Sequence, residues 1–167
     1  MDKKSRFISV VKEHEGLIYK IASLYANTPH DKEDLTQEIV YQLWKSFDSF
    51  NELSKLSTWM YRVAMNTAIY SLKSSKRQVE TVPFDADSEH YADTDDTSDE
   101  ARIKLLYASI QNLDLLEKGI ILLYLEGKSH QEIADIVGIS VSNVGTRIGR
   151  IKEKLKHHIV KHSDHGT

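Results

Sequence analysis

The chain contains no cysteine, which excludes a disulfide framework, thiolate metal sites and a cysteine nucleophile, and fits a reducing compartment. Prolines are few, at positions 29 and 83, and there are only seven glycines in 167 residues. Long stretches therefore have nothing to interrupt helical periodicity, and the fold class expected is all-α. No apolar run approaches the length of a membrane span, and Phe7–Val11 is too short for the apolar core of a secretion signal. A cytoplasmic chain without a membrane span is the expectation. Lys and Arg are also missing from residues 85–100, which hold eight acids. Removing those eight negative charges from the net charge of −3 leaves the remainder at +5, so a mildly basic protein lies on either side of an acidic insert.

What is present is organised in two blocks. In the first, Phe7, Val10, Val11, Leu17, Ile18, Ile21 and Tyr25 recur at three-and-four spacing, which predicts one helix from about Ser5 to Ala26, ending before Thr28-Pro29. Asp31 is placed to cap a second helix whose buried stripe is Leu35, Ile39, Leu43 and Phe47. A third, from about Ser57 to Ser74, carries Met60, Val63, Ala64 and Ala68. These three helices are assigned to a first domain, 1–78. Periodicity then stops, and residues 79–99 read as a flexible acidic linker, because too little apolar area is available to offset a backbone ordering cost of about 1–2 kcal/mol per residue. A second domain spans 100–161, followed by a disordered tail, 162–167.

The sharpest local pattern runs from Ser129 to Arg150. Ser129 and Glu132 have capping-box spacing, Gly138 suits a left-handed helix end, and Ser140 is a second N-cap. After it Val141, Val144, Ile148, Ile151 and Leu155 define one buried face, leaving Asn143, Thr146, Arg147, Arg150 and Lys154 on the other. Two short helices around a turn, the second with polar and basic residues facing out, make a helix-turn-helix able to enter a major groove. A basic helix end alone would only complement its own dipole; the combination of both caps, the glycine and the polar face points to DNA.

The first block offers aromatics among cations: Trp44, Phe47, Phe50, Trp59, Tyr61 and Tyr70, with Lys55, Arg62, Lys73, Lys76 and Arg77. Such a mixture suits unstacked bases, each stacking contact being worth about 1–3 kcal/mol. Phe47 and Trp44 read as core, and Tyr61 and Arg62 as surface.

Taken in order, these pieces resemble the extracytoplasmic-function group of the sigma-70 family. Asp31-Lys-Glu-Asp34 through Trp44 is similar to region 2.2, which grips the clamp helices of the polymerase β′ subunit; the resemblance implies core-polymerase contacts at Asp34, Gln37, Glu38, Gln42 and Trp44. Phe50 through Asn66 resembles regions 2.3 and 2.4, implying −10 promoter contacts at Asn51, Lys55, Ser57, Thr58, Trp59, Tyr61, Arg62 and Asn66, with Lys73 beyond. Leu122 to Gly127 and the helix-turn-helix resemble region 4, implying −35 contacts at Ser142, Asn143, Thr146, Arg147, Arg150 and Lys154, and docking on the β flap. By the same resemblance the partners are core RNA polymerase, promoter DNA and an anti-sigma factor, no cofactor is needed, and the polymerase rather than this chain performs the chemistry. Leu113-Asp114 stands where the family usually has Leu-Pro, and Gly145 and Gly149 stand where it often has larger residues. Two rival readings are a free-standing helix-turn-helix regulator that binds an operator as a dimer, and a metalloenzyme using His157, His158, His162 and His165, residues that lie in a polar tail.

Overall fold

Local chemistry sets each helix boundary. A computed structural model of the chain describes residues 2–50, 53–78 and 99–163, with side chains left aside at 75–78 and 163. In chain order the described helices are α1 (Lys3–Glu13), α2 (Glu15–Tyr25), α3 (Pro29–Ser46), α4 (Leu56–Gln78), α5 (Asp99–Gln111), α6 (Leu115–Leu125), α7 (His130–Val137) and α8 (Val141–Ser163), with one 3₁₀ turn, Phe47–Ser49. Among the described residues there is no strand, and the all-α class expected from the sequence is borne out.

Two boundaries differ from the sequence reading. The single first helix is bent into two at His14, whose backbone leaves helical geometry (φ −117°, ψ 24°) while its ring nitrogen Nδ1 approaches the Val10 carbonyl oxygen at 3.0 Å. A one-residue bend keeps the apolar stripe in phase, so spacing alone does not reveal it. The cap of α3 is Thr28, not Asp31: its Oγ1 accepts from the Asp31 amide at 3.1 Å, and Pro29 occupies the first turn, where a missing N–H costs nothing.

The first unit buries Ile21, Ala22, Ile39, Leu43, Met60, Ala64 and Ala68 completely, packing α2, α3 and α4 together. One end is closed by aromatic rings in edge and tilted contacts. Phe7 meets Trp44 at 5.1 Å and Phe47 at 5.3 Å, and Trp59 lies 5.3 Å from Phe50. Phe47 and Trp44 are half-buried against this core.

In the second unit Asp114 and Glu117 form a complete capping box at the start of α6. Ser129 accepts from the Glu132 amide at 3.1 Å to start α7, Gly138 ends it in the left-handed region (φ 76°), and Ser140 Oγ accepts from the Asn143 amide at 3.1 Å before α8. The last helix is long, 23 residues. Its final turn includes His162 and Ser163, which the sequence reading placed in the tail, and Asp99, placed in the linker, already belongs to α5. The rest of the linker and tail, 79–98 and 164–167, lies outside the described residues.

The two units are packed on each other, and their buried side chains form one continuous apolar cluster. Tyr25 Oη donates to the Leu115 carbonyl at 2.7 Å, Gln111 Nε2 to the Leu24 carbonyl at 3.2 Å, and Lys20 pairs with Glu126 at 2.9 Å.

Candidate nucleic-acid interface

Helix α8 separates its residues as the 3.6-residue period requires. Val144, Ile148, Ile151 and Leu155 are buried, whereas Val141, which the spacing put on the same face, is exposed at the first position of the helix, beyond the reach of its packing partners; Ser142, Asn143, Thr146 and Arg150 are exposed. Arg147 is half-buried, with Nε donating to Asn143 Oδ1 at 3.3 Å, and Thr146 Oγ1 donates to the Ser142 carbonyl at 3.1 Å. The Arg–Asn pair orients both side chains one turn apart on the outer face. Lys154 stands apart from this set: its ammonium reaches both carboxylate oxygens of buried Glu117, at 2.9 and 2.8 Å. Lys152 is likewise engaged, bonding the Tyr124 hydroxyl at 2.7 Å. A Cβ at Gly149 would meet nothing within 4 Å, and one at Gly145 would only touch the His130 ring at 3.7 Å. Close packing inside the protein therefore does not account for either glycine; together they leave bare backbone on or beside the exposed face.

The residues implied for −10 recognition are distributed less simply. Lys55, Asn66 and Lys73 are exposed and Ser57 is half-buried, but Thr58, Trp59 and Tyr61 are buried. Asn51 lies outside the described residues. Trp59 is covered by its own unit, between Phe47 and Phe50. Tyr61 and Arg62, read from the sequence as surface residues, both turn to the second unit. Lys128 lies 5.5 Å from the centre of the Tyr61 ring. Burial raises the Tyr61 phenol above its ordinary range, with nearby Glu126 adding to the shift and Lys20 opposing it. Arg62 donates from Nη2 at 2.6 Å and Nε at 3.1 Å to the Asp135 carbonyl in the last turn of α7, the negative end of that helix. Sequence periodicity locates a side chain on a face of its own helix; which neighbour covers that face is a long-range property.

The five residues implied for polymerase binding fall on two sides of α3. Asp34, Glu38 and Gln42, at successive turns, line a cleft of about 890 Å³ shared with Asn66 and Tyr70 of α4, and Gln42 Nε2 donates to Glu38 Oε1 at 3.0 Å. Gln37 and Trp44 line a second, more apolar cleft of about 520 Å³ beside α1, with Phe7, Ile8, Val40 and Tyr41. Ile8 and Tyr41 are exposed apolar residues that the sequence reading did not single out. Their positions on the outer sides of α1 and α3 follow from helical phase, but that α1 lies beside α3 does not.

His158 has a structural occupation. Ser109 Oγ donates its only proton to the Leu105 carbonyl at 2.7 Å, so His158 Nδ1 donates to Ser109 at 2.7 Å, and Nε2 accepts from Asn112 Nδ2 at 2.8 Å. This selects the neutral tautomer. Burial, helped by His162 and Lys161, holds the imidazole below its ordinary range. His165 lies outside the described residues. Among those described, no three His, Asp or Glu side chains are placed to hold a metal ion, and no helix is long and apolar enough to cross a membrane.

Comparison with known proteins accounts for both units. Residues 10–78 match Sigma-70 region 2 and residues 103–155 match Sigma-70, region 4. The chain is 30% identical to the ECF RNA polymerase sigma factor SigW of Bacillus subtilis over 162 residues, covering 90% of this chain and 87% of that protein. It is 26% identical to the B. subtilis RNA polymerase sigma factor SigV (95% and 93% covered) and 26% identical to the ECF sigma factor SigE of Mycolicibacterium smegmatis, where 92% of this chain covers only 62% of the relative's length. Two solved structures share the fold. The sigma factor RpoE of Bartonella quintana, solved with the anti-sigma factor NepR, has a TM-score of 0.69 at 19% identity and covers 93% of this chain and 95% of its own. CnrH, solved with the cytosolic domain of CnrY, has a TM-score of 0.64 at 22% identity and covers 93% and 88%. With region 2 and region 4 matched in order and a helix-turn-helix in the second unit, the chain belongs to the extracytoplasmic-function RNA polymerase sigma factors of the sigma-70 family.

Proposed function

We propose that the chain binds core RNA polymerase and directs it to promoters whose −35 and −10 elements it reads with its second and first units. The observation that carries this reading is the order of both regions on one chain, the second with an outward polar face on α8 that needs no rearrangement to meet duplex DNA. Asn143, Thr146, Arg147 and Arg150 supply donors for base edges and phosphates, and the exposed backbone at Gly149 permits close approach. Lys154, held by Glu117, serves the helix packing first. On the other unit, the exposed Lys55, Asn66 and Lys73, together with Arg62 and, once the second unit leaves it, Tyr61, would receive bases of the opened −10 strand, where stacking offsets a cost of a few kcal/mol for unstacking each base; Trp59, covered by Phe47 and Phe50, serves the packing of its own unit.

For the polymerase we assign both clefts flanking α3, the polar one to cationic side chains of the β′ clamp helices and the apolar one to their aliphatic side chains. The second unit would dock on the β flap. Two weak sites joined in one chain gain effective concentration when both are engaged, so neither needs high affinity alone. The chain works in the cytoplasm and itself catalyses no bond change; phosphoryl transfer is the polymerase's. The anti-sigma complexes of the two structural neighbours support an anti-sigma partner here as well. A free-standing regulator is not favoured, since it gives no use for the region 2 match.

The test is transcription in vitro with purified core polymerase and a promoter library read by sequencing. New, chain-dependent start sites sharing −35 and −10 motifs are expected. Tight binding of duplex DNA without core, together with no association with core, would overturn the reading in favour of the regulator.

A further inference from the structure

The hydrogen bonds of His158 leave one of its nitrogens ready for a different ligand. Ser109, only 2% exposed in the last turn of α5, gives its proton to the Leu105 carbonyl and so accepts from His158 Nδ1 at 2.7 Å. The opposite nitrogen, Nε2, carries a lone pair and meets the Asn112 amide at 2.8 Å. A neutral imidazole whose other N–H is held by a fixed oxygen is the ring state that binds a metal ion.

One turn further along α8, the His162 ring centre lies 4.1 Å from that of His158, with the planes tilted by 46°. Two imidazoles this close can each bring a nitrogen to one ion at about 2.0–2.1 Å. Asn112 offers a third donor. Turning its amide over gives up a long 3.4 Å bond to the Ala108 carbonyl and sets Oδ1 in place of Nδ2 beside the imidazole. Ser109 is in the last turn of α5 and His162 in the last turn of α8, and the negative ends of two helices favour a cation there. Lys161 opposes it, but is exposed and screened by solvent.

We propose that His158 Nε2, His162 and Asn112 Oδ1 form a site for a borderline divalent transition-metal ion of the zinc class, which clamps the end of α8 to the end of α5. Two imidazoles and one amide oxygen suit such an ion better than magnesium or calcium, which prefer all-oxygen shells, and water completes the coordination. The ion acts on the stability of the second unit. Arg150 lies eight residues before His158, about 12 Å along the helix, so the outer face proposed for DNA is left free.

The test uses the full chain without an affinity tag. Zinc binding is measured at neutral pH by competition with a chromophoric chelator, and thermal unfolding is followed with and without zinc. One ion per chain and a raised midpoint are expected. His162→Ala, an exposed change, should abolish both. Ser109→Ala should weaken binding about 10–100-fold, the usual loss when the group orienting a metal-bound imidazole is removed. Asn112→Asp, which places a charged oxygen at the third position, should tighten it. Histidine nitrogen resonances should show zinc shifting His158 Nε2 while Nδ1 keeps its proton. Should Ser109→Ala fail to fold, His162→Ala and Asn112→Asp carry the test. His157→Ala and His165→Ala are the controls and should bind as the wild type does.

No stoichiometric binding would overturn the site. Binding that survives His162→Ala, or that depends on His157 or His165 with His158 Nε2 unshifted, would show an adventitious ion only, held by exposed histidines, and would overturn it equally.

Discussion

Lys154 on α8 and Glu117 at the start of α6 form an ion pair in which the ammonium reaches both carboxylate oxygens, at 2.9 and 2.8 Å. Glu117 also accepts from the Asp114 amide, completing the capping box. One buried carboxylate thus ties α8 to the start of the helix that faces the first unit. Glu117→Ala removes half of the box and leaves Lys154 without its partner. A loss of about 1–3 kcal/mol is expected in urea denaturation, with Glu117→Gln losing less because it can keep the cap.

Gly138 adopts φ 76° between α7 and α8. Any Cβ there opposes the left-handed conformation, so Gly138→Ala should cost about 1–2 kcal/mol, although nothing lies within 4 Å of the added carbon. Gly149→Ala is the control: with open space and ordinary helical geometry, it should stabilise α8 by about 0.5–1 kcal/mol. Thermal unfolding of both variants measures the contrast.

Ile151 is completely buried in the second unit and Ile21 in the first. Truncating either to alanine should cost about 2–5 kcal/mol by lost burial and the cavity left behind. Since the buried cluster is continuous across both units, each truncation is expected to shift a single unfolding transition; two separated transitions in the wild-type chain would contradict that continuity.

His158 is bonded as a neutral ring at both nitrogens, and its folded pKa is below the ordinary 6.5. The folded state therefore resists protonation relative to the unfolded state. Its contribution is complete above about pH 6.5 and is lost as pH falls through the lower folded value. Urea midpoints measured from pH 8 to pH 5 should decline, and His158→Gln should flatten part of that decline; equal slopes would show that His158 is not the group responsible.

Arg150 is exposed on the outer face of α8. For the polymerase complex, Arg150→Ala should weaken promoter binding by about 1–3 kcal/mol if it reads a base, or lower the salt slope by about one if it meets a phosphate. Lys154→Ala should act mainly on stability, through Glu117, with a smaller effect on the salt slope.

Much of this protein was legible without a structure. The helix-turn-helix was readable because each of its devices is local: Ser129, Gly138 and Ser140 act on backbone groups within three or four residues, and the stripe Val144, Ile148, Ile151 and Leu155 follows from helical phase. The core of the first unit was readable for the same reason. The bend at His14 and the cap at Thr28 were missed because a one-residue bend preserves phase and because two adjacent segments each contain a plausible cap.

The amino-acid sequence alone determined the helical class, the two units and the face of α8 that turns outward, since those depend on periodicity and short-range hydrogen bonding. Only the tertiary structure decided that Tyr61 and Arg62 face α6–α7, and that Lys154 is held by Glu117. Those relationships join residues separated by 37 to 73 positions for the polar pairs. They arise when whole helix faces choose their neighbours, and no local pattern records that choice.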